Sequence, residues 1–377
     1  MKISFTATNP CHMWPTARAI AELGALGHYY SGYPAWKMPD CPPAHLRTHS
    51  LRTNVVYGLL KYAPEWLRPS SRSLFLWQDH GLDRWVASHL EPCDFIHAMP
   101  GQALHTFRAA RKLGIRTVLN HATGPVRDWV KIMQPEYDRI GLKLTELCPY
   151  DDAYFAREDA EYALADYHCA ASTIVRDQLI ASGIATEKII VIPYGADTGP
   201  RVFHRTENDA PPSDFRILFA GQIGIRKGLR TLLEALTLSG KPEWRVDFVG
   251  VKLTESAHDL AAYKGSVPLH FHGTKTQEQL AAMMRTSSIL VLPSLEEGFG
   301  LVIPQALNCG LPCIVSDRVG GKDLIRPGEN GAIFPVSNAT ALAEQLHAFS
   351  QNPTRTTDTH GWEEPARKLV EWSRRVA

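Results

Sequence analysis

The feature that most constrains the fold is a repeated alternation. Short apolar runs bounded by turn residues alternate with helical stretches in two zones, the pattern of parallel α/β sheets. In the first zone, 3–8 reads as a strand and 15–26 as a helix. An irregular basic stretch follows, then a strand at 95–99, a helix at 103–113 and a strand at 117–120. An insertion of helical character leads to a strand at 167–171, a helix at 174–181 and a strand at 189–193. Residues 196–214, with Pro211-Pro212, read as a linker. The second zone is cleaner, with strands expected at 217–220, 246–249, 269–271, 289–292, 313–315 and 332–334. Leu229, Leu232, Leu233 and Leu236 mark one face of a helix. Two doubly wound sheets of this kind place a ligand cleft between their carboxyl ends.

Composition narrows the functions available. A length of 377 residues suits two domains. Forty basic against 39 acidic residues, a net of +1, argue against a surface built to hold nucleic acid. Seven scattered cysteines without a C-x-x-C pair support neither a zinc ribbon nor a thioredoxin motif. Reduced, mostly buried cytosolic thiols are the plainest expectation. No long apolar core follows Lys2 before Asn9 and Pro10, so no signal peptide is expected. The uncharged run 298–316 holds Pro304, Gln305, Asn308, Pro312 and three glycines, which disfavours a membrane-spanning helix. A D-x-D motif, an H-E-x-x-H motif and a P-loop are all missing, and the first strand is not followed by G-x-G-x-x-G. A nicotinamide dehydrogenase is thereby disfavoured, and no metal site is expected.

Two loops carry chemistry. In Phe219-Ala-Gly-Gln-Ile-Gly-Ile-Arg-Lys-Gly228 a strand ends, a glycine-bearing loop follows, and a helix starts near Gly228. The free N–H groups of a helix start, with Arg226 and Lys227 beside them, suit a diphosphate. The same residues also fit a solvated Arg-Lys pair before an ordinary helix. The second loop begins at Leu292-Pro-Ser-Leu-Glu-Glu-Gly-Phe-Gly-Leu-Val-Ile-Pro-Gln305 and enters a helix. Pro304 is tolerated in its first turn, Gly310 suits its end, and Pro312 stops it. The N–H groups of Phe299, Gly300 and Leu301 offer donors, and Glu297 and Gln305 offer partners for sugar hydroxyls. A tight strand-to-helix turn with a surface acid is the plainer alternative.

With these stretches in hand, the chain resembles the retaining nucleotide-sugar glycosyltransferases of the GT-B fold, family 4. The likeness is carried by FAGQIGIRKGLRTLLEAL, LHFHG, ILVLPSLEEGFGLVIPQALNCGLPCIVSDRVGGKDLI and GENGAIFPV. In the first zone DFIHAMPG, LGIRTVLNHATGP, ADYHCAAS and KIIVIPYGAD add to it. The resemblance implies two Rossmann-like domains: an acceptor domain over 1–198, a donor domain over 199–350, and a segment over 351–377 whose last helix crosses back. It implies that Glu297 contacts the donor sugar as the first acid of E-x7-E. Gln305 would meet the ribose, and the backbone of Gly298, Phe299, Gly300, Leu301 and Val302 would line sugar and α-phosphate. Lys227, with Arg226, would stabilise the departing diphosphate. Gly273 and Thr274 would meet the base, and His121 would face the donor sugar. Read from the residues alone, His121 is a hydrogen-bonded histidine at a strand end.

The implied reaction moves a sugar from a nucleoside diphosphate sugar to a glycan or glycolipid hydroxyl, with no added cofactor or metal. Gln305 replaces the family's usual second acid, which should weaken the ribose grip, since hydrogen bonds to charged groups are the stronger ones. Gln222 stands where an arginine is common; Arg226 can supply that charge, though it would point about 100° from Lys227 if both were helical. His12, in a loop lacking the usual glycine pair, is either a stand-in near the β-phosphate or a structural histidine. These departures keep two alternatives open: a non-catalytic nucleotide-sugar-binding subunit, and an epimerase of the same fold. Residues 45–72 carry Arg47, Arg52, Lys61, Arg68 and Arg72 against Glu65, interleaved with Val55, Leu59, Leu60, Trp66 and Leu67. They read either as a helix packed on its own sheet or as a peripheral contact with the inner face of a membrane.

Overall fold

A computed structural model describes the chain except residues 10, 39, 65, 67–70, 145–149, 198–201, 206–211 and 213, and except the side chains of 71 and 72. Glu65, Leu67 and Arg68 of the basic stretch, the Arg72 side chain, Cys148, Pro10 and much of the 196–214 linker therefore lie outside the description.

The first sheet contains β1 (Ile3–Ala7), β2 (Leu26–Ser31), β3 (Leu46–Thr48), β4 (Phe95–Ala98), β5 (Arg116–His121), β6 (Tyr167–Ala170) and β7 (Ile189–Val191). The second contains β8 (Arg216–Ala220), β9 (Arg245–Val249), β10 (Leu269–Phe271), β11 (Ile289–Leu292), β12 (Cys313–Ser316) and β13 (Gly331–Phe334). Every pairing between these strands is parallel. The orders are β3-β2-β1-β4-β5-β6-β7 and β10-β9-β8-β11-β12-β13. Both reverse direction beside their first strand, between β1 and β4 and between β8 and β11. Such a switch point leaves a crevice outside the carboxyl ends of the two strands.

The helices of the first half are α1 (Met13–Glu22), α2 (Leu51–Tyr62), α3 (Ser71–His89), α4 (Leu104–Lys112), α5 (Val126–Arg139), α6 (Asp152–Leu164) and α7 (Thr173–Ala181). Those of the second are α8 (Leu229–Ser239), α9 (Ser256–Ala262), α10 (Gln277–Arg285), α11 (Val302–Asn308), α12 (Ala339–Gln351) and α13 (Glu363–Val376). Helices cover both faces of each sheet. One face of the first packs Ile3, Phe5 and Phe95 against α1 and α13, and the other packs Ile96 and Leu119 against Leu82, Val86 and Phe107. In the second, Phe219 and Val291 meet Leu232, Leu236 and Leu342, while Leu218 and Leu292 meet Ile303 and Leu307. Strands buried on both faces read as continuous apolar runs, which is why Ile-Leu-Val-Leu of β11 was legible.

The structure corrects the first zone. The expected helix over 15–26 ends at Glu22, and Leu26 begins β2. The irregular basic stretch contains β2, β3, α2 and α3. Leu-Gly-His-Tyr-Tyr-Ser hides its strand because polar and aromatic side chains replace the usual apolar run. Tyr30 Oη accepts from Glu91 N at 2.9 Å, and Ser4 Oγ accepts from His28 N at 3.0 Å. Gly27 lies so close to β1 that a Cβ would meet Ser4 Oγ at 2.5 Å.

The two halves touch through specific bonds. Ser172 Oγ donates to Gly298 O at 2.7 Å, and Thr173 donates from N and Oγ1 to Asp323 at 2.8 and 2.7 Å. A Cβ on Gly298 would lie 2.0 Å from Ala122 O, so this glycine lets the loop after β11 lie on the loop after β5. The segment before α13 is stitched across the seam: Ala196 N donates to His360 O, and His360 N to Asn308 Oδ1. Beyond it, Trp362, Ala366, Leu369 and Trp372 join the core of the first half.

Candidate active site at the second switch point

The loops after β8 and β11 meet outside the carboxyl ends of those adjacent strands. The β8 loop tightens into a 3-10 turn over Ile225–Lys227 and enters α8 at Gly228. Gly228 has φ +71°, and a Cβ there would lie 1.9 Å from Pro293 O. Only glycine meets both demands. Leu295 N then donates to Arg226 O at 2.9 Å, locking the loops together. The first-turn N–H groups of α8 have no carbonyl one turn back to donate to, so the turn carrying Arg226 and Lys227 also has free donors.

The β11 loop turns at Gly300, φ +86°, into α11. It is braced from beneath: Glu297 N donates to Arg318 O, Gly320 N to Glu297 O, and Gly321 N to Phe299 O. Among the described residues the N–H groups of Phe299, Gly300 and Leu301 have no backbone acceptor. Phe299 turns its ring inward onto Tyr194 at 5.0 Å, and Tyr194 stacks on His12 at 4.2 Å.

Four charged side chains converge here. Lys227 Nζ donates to Glu297 Oε2, and Arg226 Nη1 donates to the same oxygen at 3.1 Å. Arg226 Nη1 also donates to Glu296 O at 3.0 Å and lies 3.5 Å from Glu296 Oε2. Arg226 and Lys227 therefore do not diverge as helical spacing suggested. They sit in a tighter turn, and their long side chains close on one carboxylate between them. Lys227, Glu296 and Glu297 are largely buried. Burial pulls the Lys227 ammonium below its ordinary range, opposed by Glu297. Burial pushes Glu297 up, but Lys227 and then Arg226 outweigh it and hold the carboxyl below its usual range. Glu296 is pushed up by burial and by Glu297, against the pull of Arg226. Two cations and two acids thus balance in a half-dry pocket, where charge is worth more than in water.

The other expected positions are spread along the same edge. Gln305 is half-buried on α11, and Gln222 is exposed in the β8 loop. Gly273 and Thr274 are exposed just beyond β10, where Gly250 N donates to Gly273 O. His121 ends β5 and is fully buried; its Nε2 lies 2.9 Å from His168 Nδ1 and its Nδ1 3.5 Å from Tyr162 Oη. Burial, then His168, holds its pKa well below the usual histidine range. His12 is also buried, its pKa lowered to about 3, with Nε2 lacking a partner among the described residues. Glu296 and Tyr194 were not singled out from sequence. The Glu296-Glu297 doublet was a visible signal, but nothing local tells which acid faces the cations. A cavity of about 570 Å³ lined by Arg139, Arg230 and Tyr263 lies elsewhere, between α5, α8 and α9. Among the described residues no cluster of His, Cys, Asp and Glu could hold a metal.

Residues 201–369 match the family described as glycosyl transferases group 1. The match lies in the second half of the chain. It contains both loops of the site. The chain is 34% identical over 208 residues to a D-inositol 3-phosphate glycosyltransferase of Streptomyces bingchenggensis, covering 47% of this chain and 46% of that protein. It is 26% identical over 181 residues to a lipopolysaccharide 1,6-galactosyltransferase of Salmonella typhimurium, covering 45% and 48%. The chain spans about half the length of such relatives. In structure it is similar to Anabaena HepE in complex with UDP (TM-score 0.68, 16% identity, 100% of both chains). It is also similar to the sucrose-phosphate synthase of Thermosynechococcus elongatus (TM-score 0.67, 20% identity, 100% of this chain and 99% of that one). The two sheets with their helices together form the GT-B fold.

Proposed function

We propose that this chain transfers a sugar from a nucleoside diphosphate sugar to an acceptor hydroxyl with retention of anomeric configuration, in glycan, polysaccharide or glycolipid biosynthesis. The observation that carries the reading is the convergence of Lys227, Arg226 and Glu297 where free amides of both loops meet. Lys227 and Arg226 neutralise charge on the leaving diphosphate, a role of position and electrostatics. Glu297, held ionised, accepts hydrogen bonds from sugar hydroxyls, and the amides of Phe299, Gly300 and Leu301 line the sugar and α-phosphate. With the donor in place, Lys227 exchanges Glu297 for phosphate oxygen. The departing phosphate takes the acceptor proton as the new glycosidic bond forms on the face it leaves. Gln305 meets the ribose, and Gly273 and Thr274 meet the base. His121 backs the donor sugar through the Ala122–Gly298 contact.

Several relatives are named for sugar transfer, to inositol 3-phosphate or to lipopolysaccharide among others, and one structural neighbour holds UDP, which supports this chemistry. Cytoplasmic work fits the six described cysteines, all free thiols. Among the described residues no helix is long and apolar enough to cross a membrane. Peripheral membrane contact belongs to the same proposal. The test is nucleotide release from candidate donors with glycan and glycolipid acceptors, in chelator. Release that requires acceptor is expected. Donor binding that never leads to release points to the binding subunit, and donor conversion without acceptor points to the epimerase.

A further inference from the structure

Helix α5 belongs to the first half, yet its apolar face lies on the second. Met133 and Tyr137 of α5, with Leu144 just beyond it, form one buried cluster with Ile225 and Leu295. Met133 is fully buried, and Ile225 and Leu295 are nearly so. Among the described residues packed around this cluster, only Val336 also comes from the second half. Ile225 opens the 3-10 turn that carries Arg226 and Lys227, and Leu295 immediately precedes Glu296 and Glu297. The bond from Leu295 N to Arg226 O clasps the two loops between these side chains. The second half thus supplies the charged groups of the site, and the first half supplies the seat beneath them. Without α5, Ile225 and Leu295 would face water, so the hydrophobic effect holds both loops against the helix.

Polar contacts add a second hold. Tyr137 Oη donates to Glu255 Oε1 at 3.1 Å. That oxygen lies against the start of the turn, where a Cβ on Gly224 would meet it at 2.9 Å. Arg139 Nη2 donates to Asp259 Oδ1 at 3.2 Å and ties the end of α5 to α9. Seating of this kind matters because Lys227 and Arg226 both donate to one oxygen of Glu297. Hydrogen bonds weaken steeply with misalignment, and a displacement of about 1 Å in a reacting geometry can cost about a hundredfold in rate.

We infer that Met133 and Tyr137 are positioning residues of the transfer site: from the first half, they seat the turn at 225–227 and the stretch 295–297 so that Arg226 and Lys227 close on Glu297. They act through Ile225, Leu295 and Glu255. The loops of the second half are therefore complete only with α5 in place. The effect on turnover rests on the glycosyltransferase reading; the seating itself does not. Gln305 on α11, and Gly273 and Thr274 beyond β10, lie outside the cluster. Loss of the seat should therefore be felt in turnover rather than in donor affinity.

The test compares the full chain with Met133→Ala, Met133→Leu and Tyr137→Phe. Leu82→Ala, a buried truncation in another core of the first half, controls for general destabilisation. Met133→Ala should lower kcat about tenfold or more with donor KM within about twofold, and Met133→Leu, which keeps the volume, should restore most of the loss. Hydrogen exchange adds a readout that needs no turnover. The amides of Leu295 and Gly228 donate to Arg226 O and Ile225 O. They should exchange about tenfold faster in Met133→Ala while those of β11 keep their wild-type rates. Tyr137→Phe should move both readouts the same way by about threefold, and it decides the matter if Met133→Ala does not fold. Wild-type exchange at the two amides in Met133→Ala overturns the inference, as does wild-type kcat. The same changes in Leu82→Ala overturn it too, since the loss would then be general. A wild-type protein that releases no nucleotide from any donor counts against the transferase reading alone, and the exchange rates still decide the seating.

Discussion

The Lys227 ammonium and the Glu297 carboxylate neutralise each other, and the proposed donor engages both. Lys227→Ala leaves Glu297 with Arg226 alone, and Glu297→Ala removes the carboxylate that the two cations share and that is proposed to meet the sugar. Each substitution should lower turnover about a hundredfold or more, the scale for losing one preorganised charge partner. Steady-state rates with saturating donor check this, and near wild-type turnover in both would contradict it. Gln305→Glu should restore the stronger, charged hydrogen bond and lower the donor KM about fivefold, with kcat little changed. Buried histidines give the molecule a pH dependence that Glu161 and Asp79, whose carboxyls burial raises to about 7 and about 6, oppose only in part. His12 and His97 are buried and lowered to about 3, and His168 to about 4. A histidine lowered on folding stabilises the protein fully above its unfolded pKa near 6.5 and loses that contribution as pH falls towards the folded value. Each group contributes about 1.4 kcal/mol per pH unit in that window. Melting followed by calorimetry should show Tm dropping several degrees between pH 7.5 and 5.

Elements carry the glycine constraints. Gly228→Ala places a methyl on Pro293 O and demands a left-handed alanine. It should cost about 1–3 kcal/mol or more, read by urea unfolding, and should weaken nucleotide binding because Leu295 and Arg226 separate. An alanine as stable as wild type would mean the two loops are not locked. At this scale the sequence was most legible where strands are buried on both faces. The second sheet's order of apolar runs and the glycine-bearing loops after β8 and β11 could be read directly. The region between β1 and β4 could not. The strand β2 contains His28 and Tyr30, whose partners come from far away in the chain, and α2 exposes the residues that a periodicity argument assigns to a core. The start of α4 shows the same limit. Ala103 offers no side-chain cap, and the helix is capped instead by Asp83 and Glu161 from two other helices. Site chemistry was legible as residue types, while the closing of Arg226 and Lys227 on one carboxylate required the 3-10 turn.

The whole molecule is a pair of switch points held face to face. Contacts at Gly298, Asp323 and His360 fix the seam, and α13 returns to close the first core. Trp372 packs between Phe95 and Tyr167 at 6.0 and 5.0 Å. Trp372→Ala should cost about 3–5 kcal/mol and, by loosening the first half, reduce acceptor-dependent turnover more than nucleotide binding. The central claim rests on the second switch point alone and is tested most directly by ligand-induced stabilisation. Only binding to the native state raises Tm. With UDP, GDP, ADP and TDP in chelator, one diphosphate should produce a saturable rise in wild type that is lost in Lys227→Ala. No rise with any of the four at millimolar concentration, or the same rise in the variant, would contradict the donor site.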